Sequence, residues 1–531
     1  MLTKQDIVQG LRDLGVHEGM VLMVHASLSA LGEVEGGPET VIEALLEAIG
    51  PDGTLAMPAM TGDRVFDLEN SPSSVGIISE TFRKWPGVRR SLHPTHSACA
   101  LGPQADFLLD GHIDEPTAVG PGSPWGKLAS LPNGYVLLMG VDQDRNTLLH
   151  HPEELVDAPY LRTITREYKD PATGEIKQKQ LCRYPGPHRD FIGLDRLFLE
   201  GGAMVIGRIG QAVCRLMHAG RTVELELAAL ERDPAAVLCT NPRCRDCLRQ
   251  RAAIRRARLA EETFTLTAVV DDVSAEPGRL RWALDVLKLA GIHDAQLGPE
   301  LTAALIEGGE EVQLAAAGAF TDSEMRLAAV AWRLPAAEWV PGEPAALRDV
   351  LMLAERLGAR LLILQPGEWD GGDVSAWLDE ARGFFEDLHP AARAADLELA
   401  VENAPGSPLA DRDVCFELIQ SLPEGVVGLA LNPAHFAQAG QAPFRRVFYK
   451  APSRIKRAVR QLYVCDGCGP DAPLREDYTL PGQGQGEVKE LISILRCRSF
   501  SGYLCLHTGW GRGEAALYEQ AKAFWHLMDT M

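Results

Sequence analysis

Eight short apolar segments in the second half of the chain constrain its fold more than any other feature. Each consists mainly of consecutive hydrophobic residues, and stretches of helical composition lie between them. In order they are FTLTAVVDD, DAQLG, MRLAAVAW, RLLILQPG, LELAVENAPG, VGLALNPAHF, QLYVCDG and GYLCLHTGW. Continuous apolar strands are typical of parallel sheets that are buried on both faces. Eight strand–helix units predict a (β/α)8 barrel, and a doubly wound sheet is the alternative.

Chain length and a change of pattern near residue 262 predict two domains. The chain has 531 residues, too many for a single hydrophobic core. Residues 248–262, LRQRAAIRRARLAEE, are charged and helical in composition, and the strand–helix repeat follows them directly. We therefore expect an α/β domain over residues 1–262 and the barrel over residues 263–531. The basic segment could bind nucleic acid or phosphate. Because the rest of the chain is acidic, we favour the alternative that it is a solvated connecting helix.

The overall composition argues against several classes of protein. A formal net charge of −21 at pH 7 disfavours nucleic acid as the main partner. Apolar runs long enough to span a membrane are absent from the sequence, so we expect no membrane partner. The start, MLTKQDIVQGLRDLGV, predicts an amphipathic helix capped by Thr3 rather than a signal peptide. We expect a cytoplasmic protein with a small-molecule substrate. The sequence leaves open whether the protein forms a homo-oligomer.

The stretch NTLLHHPEE, residues 146–154, places two histidines and two carboxylates close together in the sequence. His150 and Glu153 are three residues apart, so they share a face on one turn of helix. A carboxylate in that position can orient a histidine for proton transfer. The same spacing suits a metal-binding pair or a solvated helix end, and spacing alone leaves all three open.

A series of motifs between residues 3 and 235 resembles a known family. The motifs are VHASLSALGEVEGG, GPDGTLAMPAMT, FDLENSPSSVGIISETFRKWPG, RRSLHPTHSACALG, SPWGKL and NTLLHHPEE. Their order and spacing resemble the aminoglycoside 3-N-acetyltransferase family, whose last motif is Asn-Thr-x-x-His-x-x-Glu. The resemblance implies an α/β domain that transfers an acyl group from acetyl-CoA, or another acyl-CoA, to an amine of a small molecule.

The same resemblance assigns roles to individual residues. His150 takes the position of the catalytic base and Glu153 that of its carboxylate partner, which favours proton transfer. Thr147 and the segment His93–Ser97 are implied as donors to the oxyanion of acyl transfer. The implied coenzyme A site consists of His25, Ser27, Leu28, Ser29, His93 and Ser97. His93 and His96 are explained equally well as hydrogen-bonded core residues, and His151 has no counterpart in the family motif.

Three cysteines near the end of the first domain predict a metal site. Cys239, Cys244 and Cys247 have the spacing C-x4-C-x2-C. In a reducing compartment such a cluster favours a metal over a disulfide, and structural Zn²⁺ takes four ligands. Cys182 and His188, in LCRYPGPHRD, are the first candidates for the fourth ligand. An iron–sulfur cluster and a site without metal are the alternatives.

The segments VENAPG, LNPAHF and LPGQGQGEV resemble the xylose-isomerase-like barrels, which include sugar isomerases and sugar-phosphate epimerases. Isomerases of that family hold a divalent metal with Glu, Asp, His and Glu. Glu402 matches the first ligand, whereas Asn432, Tyr463 and His507 stand at or near the others. Because a hard cation needs the missing carboxylates, we expect no Mg²⁺- or Mn²⁺-dependent isomerase. The remaining polar pocket consists of Glu402, Asn432, His435, Asp466 and His507.

Three functions compete at this point. The first is an acyl-CoA-dependent N-acyltransferase with an appended barrel. The second is a barrel isomerase, epimerase or lyase whose first domain binds a ligand, and the third is a non-catalytic scaffold. An intact pair of His150 and Glu153, beside an altered set of barrel ligands, favours the first. A softer metal on Cys465 and His507 would favour the second.

Overall fold

The computed structural model describes residues 1–184, 188–241, 243–271, 274–342, 345–369, 371–467, 469, 478–507 and 514–531. The chain forms two compact units, Met1–Ile254 and Arg255–Met531. The ends of the first and last predicted barrel segments, residues 272 and 508–510, lie outside the described residues. None of the described helices combines the length and apolar character that a membrane crossing requires.

The first unit mixes helices and strands. Its helices are α1 (Lys4–Leu14), α2 (Leu28–Leu31), α3 (Gly37–Ile49), α4 (Ile77–Arg83), α5 (Ala105–Leu109), α6 (Pro124–Ser130), α7 (His150–Leu155), α8 (Asp195–Glu200), α9 (Ala219–Arg232) and α10 (Arg245–Leu259), whose end extends into the second unit. Its strands are β1 (Val21–Ala26), β2 (Thr54–Pro58), β3 (Val65–Phe66), β4 (Arg89–Arg90), β5 (Ala98–Leu101), β6 (Gly134–Met139), β7 (Arg162–Lys169), β8 (Ile176–Tyr184), β9 (Met204–Ile209) and β10 (Ala212–His218).

A seven-stranded sheet in the order β4-β5-β2-β1-β6-β10-β9 forms the centre of this unit. Strands β2, β1 and β6 are parallel to one another, and the outer strands are antiparallel. Apolar clusters cover both faces of the sheet, which explains why β1 and β6 are almost continuously hydrophobic. Because β1 and β6 are parallel neighbours, the residues that follow their carboxyl ends are brought together at one edge.

Local sequence signals explain the first helix. Thr3 accepts a hydrogen bond from the backbone of Asp6, and the Asp6 carboxylate accepts one from the backbone of Thr3, a reciprocal cap. Ile7, Val8, Leu11 and Leu14 are buried at helical spacing. The helix ends at Gly15, whose φ of +107° is readily adopted only by glycine. The amphipathic helix predicted after Thr3 is therefore confirmed.

The second unit has eight parallel strands that close into a barrel, in the order β11-β12-β13-β14-β15-β16-β17-β20. The barrel strands are β11 (Thr265–Val270), β12 (Asp294–Leu297), β13 (Arg326–Leu334), β14 (Leu361–Pro366), β15 (Glu398–Glu402), β16 (Gly428–Leu431), β17 (Val459–Val464) and β20 (Tyr503–Leu506). Two short strands outside the barrel, β18 (Asp466–Gly467) and β19 (Tyr478–Thr479), pair antiparallel with each other. Its helices are α11 (Pro277–Leu289), α12 (Pro299–Glu307), α13 (Gly309–Asp322), α14 (Ala345–Leu357), α15 (Val374–Ala394), α16 (Arg412–Ser421), α17 (Pro433–Gln438), α18 (Ser453–Ala458), α19 (Val488–Cys497) and α20 (Glu514–Asp529). The predicted (β/α)8 barrel is confirmed.

Candidate active site

A short turn after β6 places His150 at the beginning of α7. Residues Thr147–Leu149 form one turn of 3-10 helix, and α7 continues from it. Asn146 caps this turn by accepting a hydrogen bond from the backbone of Leu148 at 3.3 Å, while its amide donates to Gln143 Oε1 at 3.0 Å. Thr147 is buried in the turn. These polar contacts hold the turn that leads into His150.

His150 and Glu153 form a close pair on the first turn of α7. His150 Nδ1 donates to Glu153 Oε2 at 2.7 Å. The Glu153 side chain is fully buried, whereas that of His150 is 21% exposed. Because Nδ1–H points to the carboxylate, the lone pair of the neutral ring lies on Nε2. The pair has the hydrogen-bonding arrangement of a base and the group that orients it.

Arg189 holds the other side of the Glu153 carboxylate. Its Nε donates to Glu153 Oε1, and its guanidinium stacks over the Tyr160 ring, 4.6 Å from the ring centroid. Burial raises the pKa of Glu153, but the hydrogen bond and charge of His150 and the charge of Arg189 outweigh it, so the net pKa lies below the ordinary value. Glu153 is therefore ionised at neutral pH, as a partner of an imidazolium must be.

Two nearby carboxyl groups have the opposite character. Both oxygens of Glu226, on α9, are buried without a hydrogen-bond partner among the described residues. Burial, followed by the charge of Glu153, raises the pKa of Glu226 well above its ordinary value. Burial raises the pKa of Glu154 to about 8, although its Oε1 accepts from the backbone of Val119 at 3.1 Å. The environment thus favours a negative charge on Glu153 and not on its two neighbours.

The histidines of the HPTH sequence lie in the core. His93 is fully buried and its ring stacks on His112, with ring centroids 4.2 Å apart. Burial, and next the charge of His150, lower the pKa of His96 to about 3. Ser97 Oγ donates to the carbonyl of Ala59 at 2.7 Å and accepts from Arg90. His93 Nδ1 accepts from the backbone of His96 at 2.9 Å, and His96 Nδ1 lies 2.9 Å from Thr95 Oγ1.

The HASLS turn, residues 25–29, spans the carboxyl end of β1 and the first residues of α2. The backbone N–H of Ser27 donates to Met139 O at 3.0 Å, which ties the turn to the end of β6. Ser27 and Leu28 are half-buried and Ser29 is exposed, and the two serine hydroxyls lie 3.2 Å apart. His25 is buried, and burial lowers its pKa to about 4. The turn and His150 therefore follow neighbouring strands at the same edge of the sheet.

A separate pocket occupies the barrel at the carboxyl ends of its strands. It has a volume of about 730 Å³, and Glu402, His435 and His507 are among its lining residues. Gln365 Nε2 donates to Glu402 Oε2 at 2.7 Å, and Asn432 Nδ2 donates to Glu402 Oε1 at 2.9 Å. Both carboxylate oxygens are thus engaged by side-chain amides. A single carboxylate whose two oxygens are both engaged by amides does not fit the hard divalent cation that the barrel family implies.

Two residues predicted for this pocket do not line it. Asn432 is buried behind Glu402 and also accepts from the backbone of His435 at 3.4 Å, at the start of α17. Asp466 is buried and accepts backbone hydrogen bonds from Gly482 at 3.0 Å and from Gly486. Its carboxylate therefore secures the glycine-rich loop instead of facing a ligand. In this structure neither Asn432 nor Asp466 is among the residues that line the pocket.

Comparisons with known proteins match the two units separately. A family model described as aminoglycoside 3-N-acetyltransferase matches residues 23–231, and one described as xylose isomerase-like TIM barrel matches residues 338–527. Aminoglycoside N(3)-acetyltransferase IV of Salmonella sp is 36% identical over 243 residues, covering 44% of this chain and 90% of that protein. The chain belongs to the aminoglycoside 3-N-acetyltransferase family.

Other members of the acetyltransferase family match over the same part of the chain. The SPbeta prophage-derived aminoglycoside N(3')-acetyltransferase-like protein YokD of Bacillus subtilis (strain 168) is 32% identical over 248 residues, covering 42% of this chain and 90% of that protein. The solved structure of aminoglycoside acetyltransferase AAC(3)-IVa, as apoenzyme, has 35% identity and a TM-score of 0.42, covering 46% of this chain and 95% of that structure's chain. The predicted resemblances to both families are confirmed.

The acetyltransferase unit also contains a cluster of metal-ligating side chains. The ligand atoms of His188, Cys239, Cys244 and Cys247 all lie within 4.8 Å of one another. His188 Nδ1 is 3.2 Å from Cys247 Sγ and 3.6 Å from Cys244 Sγ. Ligand atoms around a tetrahedral Zn²⁺ are about 3.5–3.8 Å apart, given metal–ligand bonds of about 2.0–2.3 Å. The four side chains therefore fit a zinc ion.

The fourth member of the cluster corrects one prediction. Cys182 is exposed on β8, and its backbone N–H donates to Pro116 O at 2.9 Å. It is not part of the group, because His188 occupies the fourth position. Of the two candidates from the sequence, His188 is the one that the fold brings to the three cysteines.

We expect purified protein to contain about one equivalent of zinc per chain, because three thiolates and an imidazole form a complete tetrahedral set. Cys244→Ser should lose most of the metal and loosen the surrounding segment, since binding and local folding are coupled. Cys182→Ser is the matched control and should keep its zinc. Elemental analysis after preparation without chelators measures both, and protein free of zinc and of iron would exclude the site.

Proposed function

We propose that the first unit transfers the acetyl group of acetyl-CoA to an amine of an aminoglycoside-like small molecule. The observation that carries the proposal is the 2.7 Å hydrogen bond from His150 Nδ1 to Glu153 Oε2. It stands in a chain whose relatives are named aminoglycoside N-acetyltransferases. The formal net charge of −21 also suits a substrate that carries several ammonium groups.

His150 and Glu153 supply the proton transfer that this reaction needs. An alkyl ammonium with a pKa of about 10 is mostly protonated at neutral pH. Only the neutral amine has the lone pair that attacks, so the amine must lose a proton in the reaction. As its nitrogen attacks the thioester carbon, His150 Nε2 accepts a proton and Glu153 stabilises the imidazolium. The C–S bond then breaks, and the proton passes to the coenzyme A sulfur. The products are an amide and free coenzyme A.

We assign coenzyme A to the HASLS turn and the oxyanion to Thr147. Ser27, Leu28 and Ser29 are accessible next to the end of β6, from which the turn to His150 begins. Thr147 precedes His150 by one turn, so its hydroxyl is a candidate donor to the tetrahedral oxyanion. His25, His93 and Ser97 are buried, and we assign them to the wall of the site and not to direct contacts.

Release of free coenzyme A tests the proposal directly. Full-length protein mixed with acetyl-CoA and each member of a panel of aminoglycosides should release thiol at a rate that depends on the amine. Mass spectrometry should show one acetyl group added to the amine. Hydrolysis of acetyl-CoA at the same rate with and without every amine would contradict the proposal.

The barrel pocket supports a second function, the binding of a polar organic ligand without a divalent metal. The specific observation is that side-chain amides occupy both oxygens of Glu402, while Tyr463 OH accepts from Gln296 Nε2 at 2.9 Å. Burial raises the pKa of Glu402 in spite of hydrogen bonds from Asn432, Tyr463 and Gln365. A carboxyl group of this kind is suited to a hydroxyl or amine ligand and poorly suited to Mg²⁺.

We expect no Mg²⁺- or Mn²⁺-dependent sugar isomerisation by the barrel. Two carboxylates of a typical site are replaced by Asn432 and His507, and their loss should weaken binding of a hard cation by several kcal/mol, roughly. Manganese binding followed by electron paramagnetic resonance measures this, and Asn432→Asp should raise the affinity. An octahedral ion on Glu402 and Asn432 of the unchanged protein, together with sugar turnover, would show that the barrel is a working isomerase.

A further inference from the structure

Arg189 lies between the cysteine–histidine cluster and the His150–Glu153 pair. Its side chain is 2% exposed, and its Nε donates to the fully buried Glu153. On the other side, Nη1 donates to His188 O at 2.8 Å and to Gln250 Oε1. One guanidinium thus joins the carboxylate that orients His150 to the backbone of a metal ligand. Its planar fork suits such a bridge, because it presents several donors in fixed directions.

The cluster residues and Gln250 belong to two segments that a metal would lock together. Cys247 and Gln250 are three residues apart on α10 and share a face. Gln250 Nε2 donates to His188 O at 3.2 Å, beside its contact with Arg189. The contacts between His188 and the cysteine thiols are weak hydrogen bonds when no ion joins them. Metal–ligand bonds would fix His188 against α10 and thereby fix the backbone from which Arg189 projects.

The same segment also touches the base itself. Phe191 follows Arg189 by two residues, and its ring packs edge-on against His150 with centroids 4.9 Å apart. A shift of this segment therefore changes two contacts of the pair, one to Glu153 and one to the imidazole. Active-site geometry tolerates little displacement, because proton transfer requires hydrogen-bond distances.

We propose that Arg189 is a positioning residue through which zinc in the His188–Cys239–Cys244–Cys247 cluster keeps Glu153, and with it His150, in the orientation for acyl transfer. This inference rests on the proposed function, and it adds that a metal with no contact to the reacting atoms sets the rate. Substitution of a residue that orients a functional group through hydrogen bonds commonly lowers activity by about 10–100-fold.

The first test compares zinc-loaded and chelator-treated full-length protein in three backgrounds: unchanged, Arg189→Lys and Arg189→Met. Removal of zinc from the unchanged protein should lower kcat by about 10–100-fold with little change in KM for acetyl-CoA. In both variants kcat should already be low with zinc bound, and removal of zinc should change it less than about threefold. The reason is that the hydrogen bonds of Arg189, which link the cluster to Glu153, are already lost or altered. Arg189→Lys keeps a cation for Glu153 and is the variant that preserves folding best.

Arg196→Met is the matched control, since this arginine pairs with Glu200 on the surface and its side chain is 85% exposed. Its kcat should match that of the unchanged protein and keep the full response to zinc. Equal fold-losses on zinc removal in the unchanged, Arg189→Lys and Arg189→Met proteins would overturn the proposal. So would protein that binds no zinc when the metal alone is titrated into it.

The second test needs no substrate and separates this inference from the proposed function. The proton on His150 Nδ1, hydrogen-bonded to Glu153 at 2.7 Å, should give a downfield resonance in protein with 15N-labelled histidine. The signal is assigned by its absence in His150→Asn. It should shift or broaden on zinc removal and in Arg189→Met, and stay unchanged in Arg196→Met. A resonance indifferent to both zinc and Arg189 would overturn the proposal even if acyl transfer were established.

Discussion

His150→Ala is expected to lower the rate of acyl transfer by about 10²–10⁴-fold while coenzyme A binding is retained. The substitution removes the Nε2 that accepts the proton of the amine, whereas the HASLS turn after β1 is untouched. Steady-state release of coenzyme A gives the rate, and calorimetric titration with coenzyme A gives the affinity. Full turnover in the variant, with an acceptor that the unchanged protein acetylates, would rule His150 out as the base.

A neighbouring histidine provides a matched control for that experiment. The asparagine amide can replace Nδ1 of histidine as a donor but has no counterpart of Nε2. His150→Asn should therefore keep a hydrogen bond to Glu153 and still lose the rate. His151→Asn should keep the bond of His151 to Val119 O, which is 2.7 Å long, and retain activity. Together the two variants separate loss of the base from disturbance of α7.

Sequence patterns predicted those features whose cause is local. The cap at Thr3 needs only Asp6, three residues later, and the pair of His150 and Glu153 likewise spans a single turn. The barrel could also be predicted from the sequence, because each strand carries its own apolar run and the runs recur eight times. In these cases short-range geometry fixes the contact before the tertiary fold is considered.

The parts that sequence did not reveal depend on distant residues. Glu153 meets Arg189, 36 positions later, and Arg189 meets Gln250 a further 61 positions along the chain. No motif marks such a partner, although a buried carboxylate beside a histidine does require a second donor. The preference of the cluster for His188 over Cys182, and the capture of Asp466 by glycine amides, have the same origin. Each is decided by how segments pack and not by residue type.

The second large effect concerns the buried ion pair behind the base. Glu153→Leu should destabilise the first unit by about 3–5 kcal/mol, because it leaves the guanidinium of Arg189 buried without its counter-charge. Adding Arg189→Met should recover most of that loss, since apolar side chains of similar size often replace a buried ion pair without cost. Activity should stay low in both proteins, because neither has a carboxylate to orient His150.

The buried carboxyl group of Glu226 must be controlled for in this experiment. Its buried carboxyl group senses the charges of Glu153 and Arg189, so it could ionise and take the place of Glu153 in the single variant. Each protein is therefore also made with Glu226→Gln, which keeps the shape and removes the charge. Hydrogen exchange of peptides from the first unit measures its stability separately from that of the barrel. If Glu153→Leu leaves that protection unchanged even beside Glu226→Gln, the buried pair contributes nothing to the fold. If Arg189→Met restores stability and activity together, Glu153 does not orient the base.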